Sequence, residues 1–448
     1  MDRLASRCGL CKQLTLELRL PTCFHKALYL MGKRKDDMHY KAKHIYIGID
    51  LHKKTHTAVV VNCWHEKLGE VTFENKPSAF PELIAFVKQF KKRGITPIYG
   101  LEDVGGYGRS LAVYLLEQKQ QVKEVNSALS YAERKSNPIV QKSDSWDAEC
   151  VAKILLNKLD ILPDANPQDV YWTIGQLVTR RNGLIKALTS LKNQLHMQLS
   201  YHYPSYKKFF SELDGKCALA FWHKYPSPYL LNGKTVESLT HFLRLTSNNA
   251  CSTRKAGQLL EWIEADGDTT RTYQEQRDFL IRSHVRDIRF NKKEIARVEG
   301  ELHRMMNLLD YQLETMPGID LVTFSAMVAE IGDIHRFASA DKLARFAGIA
   351  PVKVGSGGKH VNLKSRQGNR VLHGLFYNLA VQQVQVSKGS KKPRNPLFYE
   401  YFNRKKEEGK TPTQALVCVM RRLVNIIYGM MKNKTAFRLP DQVEKQAS

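Results

Sequence analysis

The sequence predicts an α/β plus α fold: a mixed-sheet domain, a long coiled-coil linker with an inserted subdomain, and a small helical C-terminal domain. Three observations carry this reading. From Ile45 to about residue 160, apolar hairpin strands give way to strands alternating with helix-period segments, the pattern of a mixed α/β sheet. Ile281, Ile288, Ile295, Leu302 and Leu309 recur every seven residues, the seam of a long packed helix. Beyond residue 312 helical periods resume around a basic, glycine-rich stretch. At 448 residues the chain exceeds one ordinary core, so several domains are expected.

Residues 1–43 precede the first clear strand and read as an N-terminal extension, either disordered or the product of an overlong translation start. Within it Cys8 and Cys11, with Cys23 and His25, lack regular zinc-finger spacing. The eight cysteines are scattered and no secretory signal precedes them, so they read as free thiols of a reducing cytosol. Residues 44–165 open on IYIGIDLHKKTHTAVVVN, two strands joined by a polar turn, with VTFEN as a third strand. SAFPELIAFVKQFKKRG follows as a helix stopped by Gly94, ITPIYGLED as a strand, YGRSLAVYLLEQKQ as a helix and QVKEVN as a strand. ERKSNPIVQKSDSWDAE reads as a polar loop.

Residues 166–311 read as coiled-coil helices, with Leu177, Leu184, Leu188, Leu191 and Leu195 on the first and the heptad isoleucines on the second. Between them, residues 201–272 are rich in aromatics and turn signals and form an insertion whose purpose the sequence leaves open. Residues 312–448 start at MPGID, run through the helical LVTFSAMVAEIGDI and reach the loop APVKVGSGGKHVNLKSRQGNR.

Composition narrows the function. Lys and Arg number 69 against 44 acidic residues, a net charge of +25, which suits a polyanionic partner better than a small neutral ligand. Nucleic acid is the first expectation. Between Pro351 and Lys410 there are thirteen Lys and Arg against Glu400, Glu407 and Glu408, interleaved with Gly, Ser, Asn and the aromatics Phe398, Tyr399 and Tyr401. That mixture favours phosphate contact over a merely solvated face. An anionic membrane surface would also suit the charge, but no apolar run approaches the ~18–20 residues of a spanning helix. The expected location is the cytoplasm.

Four acids stand out. Asp50 ends the first strand, Glu102 ends IYGLE, and Asp144 and Asp147 lie three apart in SDSWDAEC. If Ser143 or Asp144 opens a helix, the last two project on nearly one face and can meet two strand tips. Four carboxylates around one point repel without a cation, and such oxygen ligands suit Mg²⁺. Two ions about 4 Å apart would clamp the attacking and leaving oxygens of a phosphodiester. Singly, each acid has another explanation: Asp50 as a turn residue, Glu102 or Asp103 as a cap for the next helix, Asp144 as an N-cap. Together, in this order, they match a ribonuclease H-like site. His52 and His56 of HKKTH read as solvated turn residues or phosphate contacts, because a spacing of four does not place them on one face there.

These residues resemble the IS110/IS1111-type DEDD transposases. YIGIDLHKKTHTAVV, GLEDVGGYG and KSDSWDAECVA are similar to that family's three N-terminal motifs, and the stretch from MPGID to FYNLA resembles its C-terminal transposase domain. The resemblance spans roughly residues 44–160 and 312–385. It implies an RNase H-like (RuvC-like) domain with the metal-binding acids on Asp50, Glu102, Asp144 and Asp147, a coiled-coil linker, and a small helical transposase domain carrying a serine nucleophile. GSGGK matches the family's serine loop and puts that role on Ser356, with Gly355 where a second serine often stands. Lys353, Lys359, Lys364, Arg366 and Arg370 become the expected nucleic-acid contacts.

The implied function is a DNA transposase/recombinase of a mobile element, working through a covalent phosphoserine with two Mg²⁺ ions. The implied partners are double-stranded DNA (element ends and target), a noncoding bridge RNA, and further copies of the chain, as a homodimer assembling to a tetramer. In that assembly the serine of one subunit completes the acidic site of another, in a prokaryotic, nucleoid-associated setting. MPGID resembles a helix-hairpin-helix turn, but Asp320 replaces its second glycine and puts a negative charge where a phosphate would approach.

Two other classes compete. A Mg²⁺-dependent RuvC-like nuclease or Holliday junction resolvase would use the same acids to activate water and form no protein adduct. An actin-like ATPase would use IGIDLHKKT as a phosphate loop, but leaves the Asp144/Asp147 pair and the basic region unexplained.

Overall fold

The computed structural model describes residues 39–103, 106–136, 143–356, 359–363, 365 and 367–438. The cysteines and His25 of the N-terminal extension, Lys364 and Arg366 therefore lie outside the described residues. The chain divides into two compact units, Met1–Pro167 and Gln168–Ser448.

In the first unit β1 (His44–Leu51), β2 (Thr55–Val61) and β3 (Lys67–Glu74) form an antiparallel meander. Helix α1 (Phe80–Lys88) leads to β4 (Thr96–Leu101), α2 (Arg109–Glu117) to β5 (Gln121–Glu124), and both strands run parallel to β1. The sheet order is β3-β2-β1-β4-β5, a mixed sheet that fits an RNase H-like domain. Then come α3 (Ser127–Ser136) and α4 (Asp144–Lys158). Period-two alternation decides the layers. Ile45, Ile47 and Ile49 join Phe80, Leu83, Leu111 and Leu115 in one core, whereas Tyr46 packs with Ile98, Val151 and Leu155 on the face that α4 covers.

Two local expectations shift. Helix α1 ends at Lys88 rather than at Gly94; Phe90 still packs on Phe86, and Gly94 (φ +81°) turns the chain into β4. The stretch read as a polar loop holds the last residues of α3, whose Ala, Leu, Glu and Arg are good helix formers, and the first turn of α4.

In the second unit α5 (Asp169–His202) and α9 (Gln274–Asn307), each of 34 residues, run antiparallel, since Ile174 shares a core with Leu302 and Met306 while Leu195 and Leu199 share another with Ile281, Val285 and Ile288. Between them lie α6 (Lys216–Lys224), α7 (Val236–Ser247) and α8 (Thr253–Asp266), packed around Phe209, Phe221 and Trp222. Asp214 ties this segment to both long helices through Lys192 (2.8 Å) and Lys292 (2.7 Å).

The C-terminal part of this unit contains α10 (Leu321–Ile331), α11 (Ala340–Phe346), the hairpin β6 (Val352–Ser356) and β7 (Lys359–Leu363), α12 (Arg370–Val384), α13 (Pro396–Glu407) and α14 (Pro412–Asn433). Asp320 caps α10, accepting from the Thr323 amide at 2.8 Å, while Gly318 (φ +92°) makes the reversal before it. The residue that departs from the helix-hairpin-helix pattern thus has a backbone task. Among the described residues no helix is long and apolar enough to cross a membrane.

Candidate active site

The site starts from a missing side chain. A Cβ on Gly48 would overlap the Ala148 carbonyl oxygen and the Ala152 amide nitrogen, so α4 lies directly on the backbone of β1. This close approach carries the first turn of α4 to the C-terminal end of β1. The parallel register pairs Gly48 with Gly100, so Asp50 and Glu102, each two residues further on, leave adjacent strands on the face covered by α4. Ser143 fixes the other half: its Oγ accepts from the Trp146 amide at 3.1 Å, which starts α4 so that Asp144 and Asp147 both fall in its first turn. A helix N-terminus favours negative charge there.

Neither Glu102 nor Asp103 caps the following helix, because α2 starts only at Arg109 with Gly108 at its N-cap position. Asp103 accepts from the amides of Gly106 (2.7 Å) and Tyr107 (2.9 Å), and Glu102 is left for other work.

The four acids fall into two pairs, one beside a histidine and the other beside an arginine. His52 Nε2 lies 2.9 Å from Asp50 Oδ2 and 3.5 Å from Asp144 Oδ1. Asp50, His52 and Asp144 each present a ligand atom within 4.8 Å of the others, a cluster able to hold a metal ion. Arg134, from α3, places Nη1 3.5 Å from Asp147 Oδ1 and 3.8 Å from Glu102 Oε2. Asp50 joins the pairs electrostatically. Burial pushes its carboxyl above the usual carboxylate range, His52 opposes the shift, and Asp147 and Asp144 add to it.

A divalent cation fits this donor set. Asp50 is largely buried, with the His52 ring 2.9 Å from its Oδ2, and burying a carboxylate costs free energy that a bound positive charge would offset. Carboxylate oxygens dominate the cluster, as hard cations prefer. Asp144 is 59 % exposed against 17 % for Asp50, so the cluster is open to solvent at Asp144.

His52 is the exposed turn residue the sequence suggested, but its contact with the acids was not foreseen, and Arg134 was not singled out at all. His52 stands two residues after Asp50, on the same side of an extended chain, and that spacing was the available signal. His56, by contrast, is not a turn residue: it lies in β2, fully buried against Phe73 and Phe80.

The second unit carries the remaining candidates. Ser356 ends β6 and pairs in register with Lys359, the first residue of β7, while Lys353 pairs with Asn362. The stretch read as a loop is therefore partly a hairpin, and Val352, Val354, Val361 and Leu363 at alternate positions account for its strands. Arg370 opens α12 behind Asn369, whose side chain accepts from the Leu372 amide at 2.9 Å.

Known protein families match this chain in two stretches. Residues 47–204 match a transposase family model for the IS110 DEDD enzymes, and residues 310–397 match the transposase model of the IS116/IS110/IS902 family. The chain is 26 % identical over 401 residues to an uncharacterized 44.8 kDa protein of insertion element IS116 from Streptomyces clavuligerus, covering 88 % of this chain and 96 % of that one. It is 24 % identical over 408 residues to a 42 kDa protein of element IS900 from Mycobacterium paratuberculosis, covering 88 % and 98 %. A pilin gene-inverting protein of Moraxella lacunata is 24 % identical over 399 residues, covering 88 % and 97 %.

Proposed function

Because this chain belongs to the IS110-type DEDD transposases, and is thus a DNA transposase/recombinase of insertion elements, we propose that it cuts and rejoins DNA through a covalent bond to Ser356. Asp50, Glu102, Asp144 and Asp147 would hold Mg²⁺, as two ions, with His52 beside the first pair. The observation that carries the reading is the gathering of the largely buried Asp50 and of Asp144 about His52, with ligand atoms within 4.8 Å of one another.

In this reading Ser356 Oγ attacks the phosphorus of the scissile phosphodiester. The Oγ–P bond forms as the P–O3′ bond breaks, the Oγ proton leaves to solvent, and the departing 3′ oxygen takes one up. A bound divalent ion supplies Lewis-acid stabilisation of the oxygens that gain charge. Rejoining is the reverse attack by a 3′ hydroxyl from the exchanged strand, so the phosphodiester energy is conserved and no nucleotide hydrolysis is required. Lys353, Lys359, Lys364, Arg366 and Arg370 bind the DNA backbone. A bridge RNA transcribed from the element selects the two DNA sites, and the working assembly is a homodimer that builds to a tetramer. The long helices α5 and α9 act as its coiled coil, and residues 44–165, 166–311 and 312–448 act as its three working domains.

Mass spectrometry of the protein–DNA adduct tests this. The chain is incubated with element-end DNA, the element's RNA and Mg²⁺, denatured and digested. A nucleotide phosphate on Ser356 supports the reading. Cleaved DNA with no modified peptide would replace it with a RuvC-like nuclease that uses water.

A further inference from the structure

Arg134 is bound to the acidic site but unused by the reaction. Its Nη1 stands 3.5 Å from Asp147 Oδ1 and 3.8 Å from Glu102 Oε2, a loose ion pair at both ends, and neither contact is a hydrogen bond of normal length. The guanidinium is 30 % exposed and the two carboxylates 21 % and 24 %, so solvent screens the pairing and its hold is weak. The opposite pair, Asp50 and Asp144, has only a histidine, which carries charge only when protonated. The four acids are thus unequal: one pair has a permanent internal cation and the other does not.

We infer that Arg134 is a built-in counter-cation that competes with a divalent ion for Glu102 and Asp147. The inference rests on the reading that the four acids bind metal. A divalent ion draws carboxylates into direct contact, closer than either Arg134 distance, and carries twice the charge, so it displaces the guanidinium at a cost. The Asp50–Asp144 side fills first and the Glu102–Asp147 side second. A phosphodiester gives the displaced guanidinium a new anionic partner, since Arg suits phosphate geometry. Entry of the second ion is therefore coupled to arrival of DNA, which restrains the site from loading fully before its substrate is present.

The test is Mn²⁺ binding, followed by electron paramagnetic resonance and calorimetry on the full chain, in wild type, Arg134→Gln, Arg134→Lys and Asp50→Asn. Without DNA, Arg134→Gln is expected to bind the weaker ion roughly two- to fivefold more tightly, the change that corresponds to losing one partly exposed ion pair. Arg134→Lys, which keeps the charge, stays near wild type. Adding a short DNA duplex tightens the weaker ion in wild type and has a smaller effect in Arg134→Gln. Equal or weaker binding in Arg134→Gln, in protein whose melting curve shows it folded, overturns the inference and leaves the metal reading standing. No Mn²⁺ binding by any variant, or binding unchanged in Asp50→Asn, overturns the metal reading itself.

Discussion

Gly48 and Ala148 are in backbone contact: there is no room between β1 and α4 for even a methyl group at position 48. The positions of Asp50, two residues along the strand, and of Asp144 and Asp147, at the start of the helix, depend on that contact.

Gly48→Ala should therefore be costly. Its methyl would strike backbone atoms, which cannot rotate aside, so a loss of about 3 kcal/mol is expected together with loss of DNA cleavage. Gly100→Ala is the control. There the atoms nearest the methyl would belong to the side chains of Leu155, Val125 and Val151, each at 3.3 Å, and the expected cost is within about 1 kcal/mol. Urea unfolding of both variants checks the difference.

Ser143→Ala removes the cap that starts α4. The expected loss is about 1 kcal/mol of stability, with Ser143→Asp restoring most of it. Because the cap also sets where the first turn begins, DNA cleavage should fall more in Ser143→Ala than its stability loss explains, measured at a temperature where the variant is folded.

His56 gives the protein a pH dependence. It is fully buried beside Phe73 and Phe80, and burial holds its pKa below the ordinary imidazole value of 6.5. The unfolded chain thus takes up a proton near that value and the folded chain does not, so stability falls as pH drops through and below about 6.5. His56→Phe should flatten that part of the stability profile, read as denaturant midpoints between pH 5 and 8, the range in which imidazole titrates at about 6.5.

Asp50 has the opposite sign from most structural carboxylates. Its pKa is raised, chiefly by burial, so the folded chain holds this proton more tightly than the unfolded one. Ionisation therefore lowers stability as pH rises above the ordinary 3.8, and the loss persists at neutral pH. Asp50→Asn should melt higher than wild type at pH 7 when divalent ions are chelated, while being inactive on DNA. Adding Mg²⁺ should raise the melting temperature of wild type and leave Asp50→Asn nearly unchanged.

The strands were legible because short apolar runs broken by polar turns are a local property; Ile45, Ile47 and Ile49 face one core and Tyr46 the other, so the run is apolar on both faces. The helix start at Ser143 or Asp144 was legible for the same reason, but the cap expected at Asp144 falls one residue earlier, on Ser143, and Asp144 sits inside the first turn. Heptad spacing marked Ile281, Ile288, Ile295 and Leu302, all of which are buried. The role of His52 was hidden because it also touches Asp144, 92 residues further along the chain, and a turn histidine carries no local sign of that contact. Arg134 was hidden because α3 buries only Ser130 and shows little apolar face, so its residues read as a polar loop. The role of Gly48 was hidden because its partner lies 100 residues away in sequence at Ala148, and local pattern holds no such information.

The most direct measurement follows a denaturation-resistant protein–DNA adduct, and free cleaved ends, from labelled element-end DNA with the element's RNA and Mg²⁺, in wild type, Ser356→Ala and Asp50→Asn. An adduct in wild type that both substitutions abolish is the predicted result, because nucleophile and carboxylates serve one step. Cleaved ends without an adduct, undiminished in Ser356→Ala, would contradict the account and assign the chemistry to the acids and water alone.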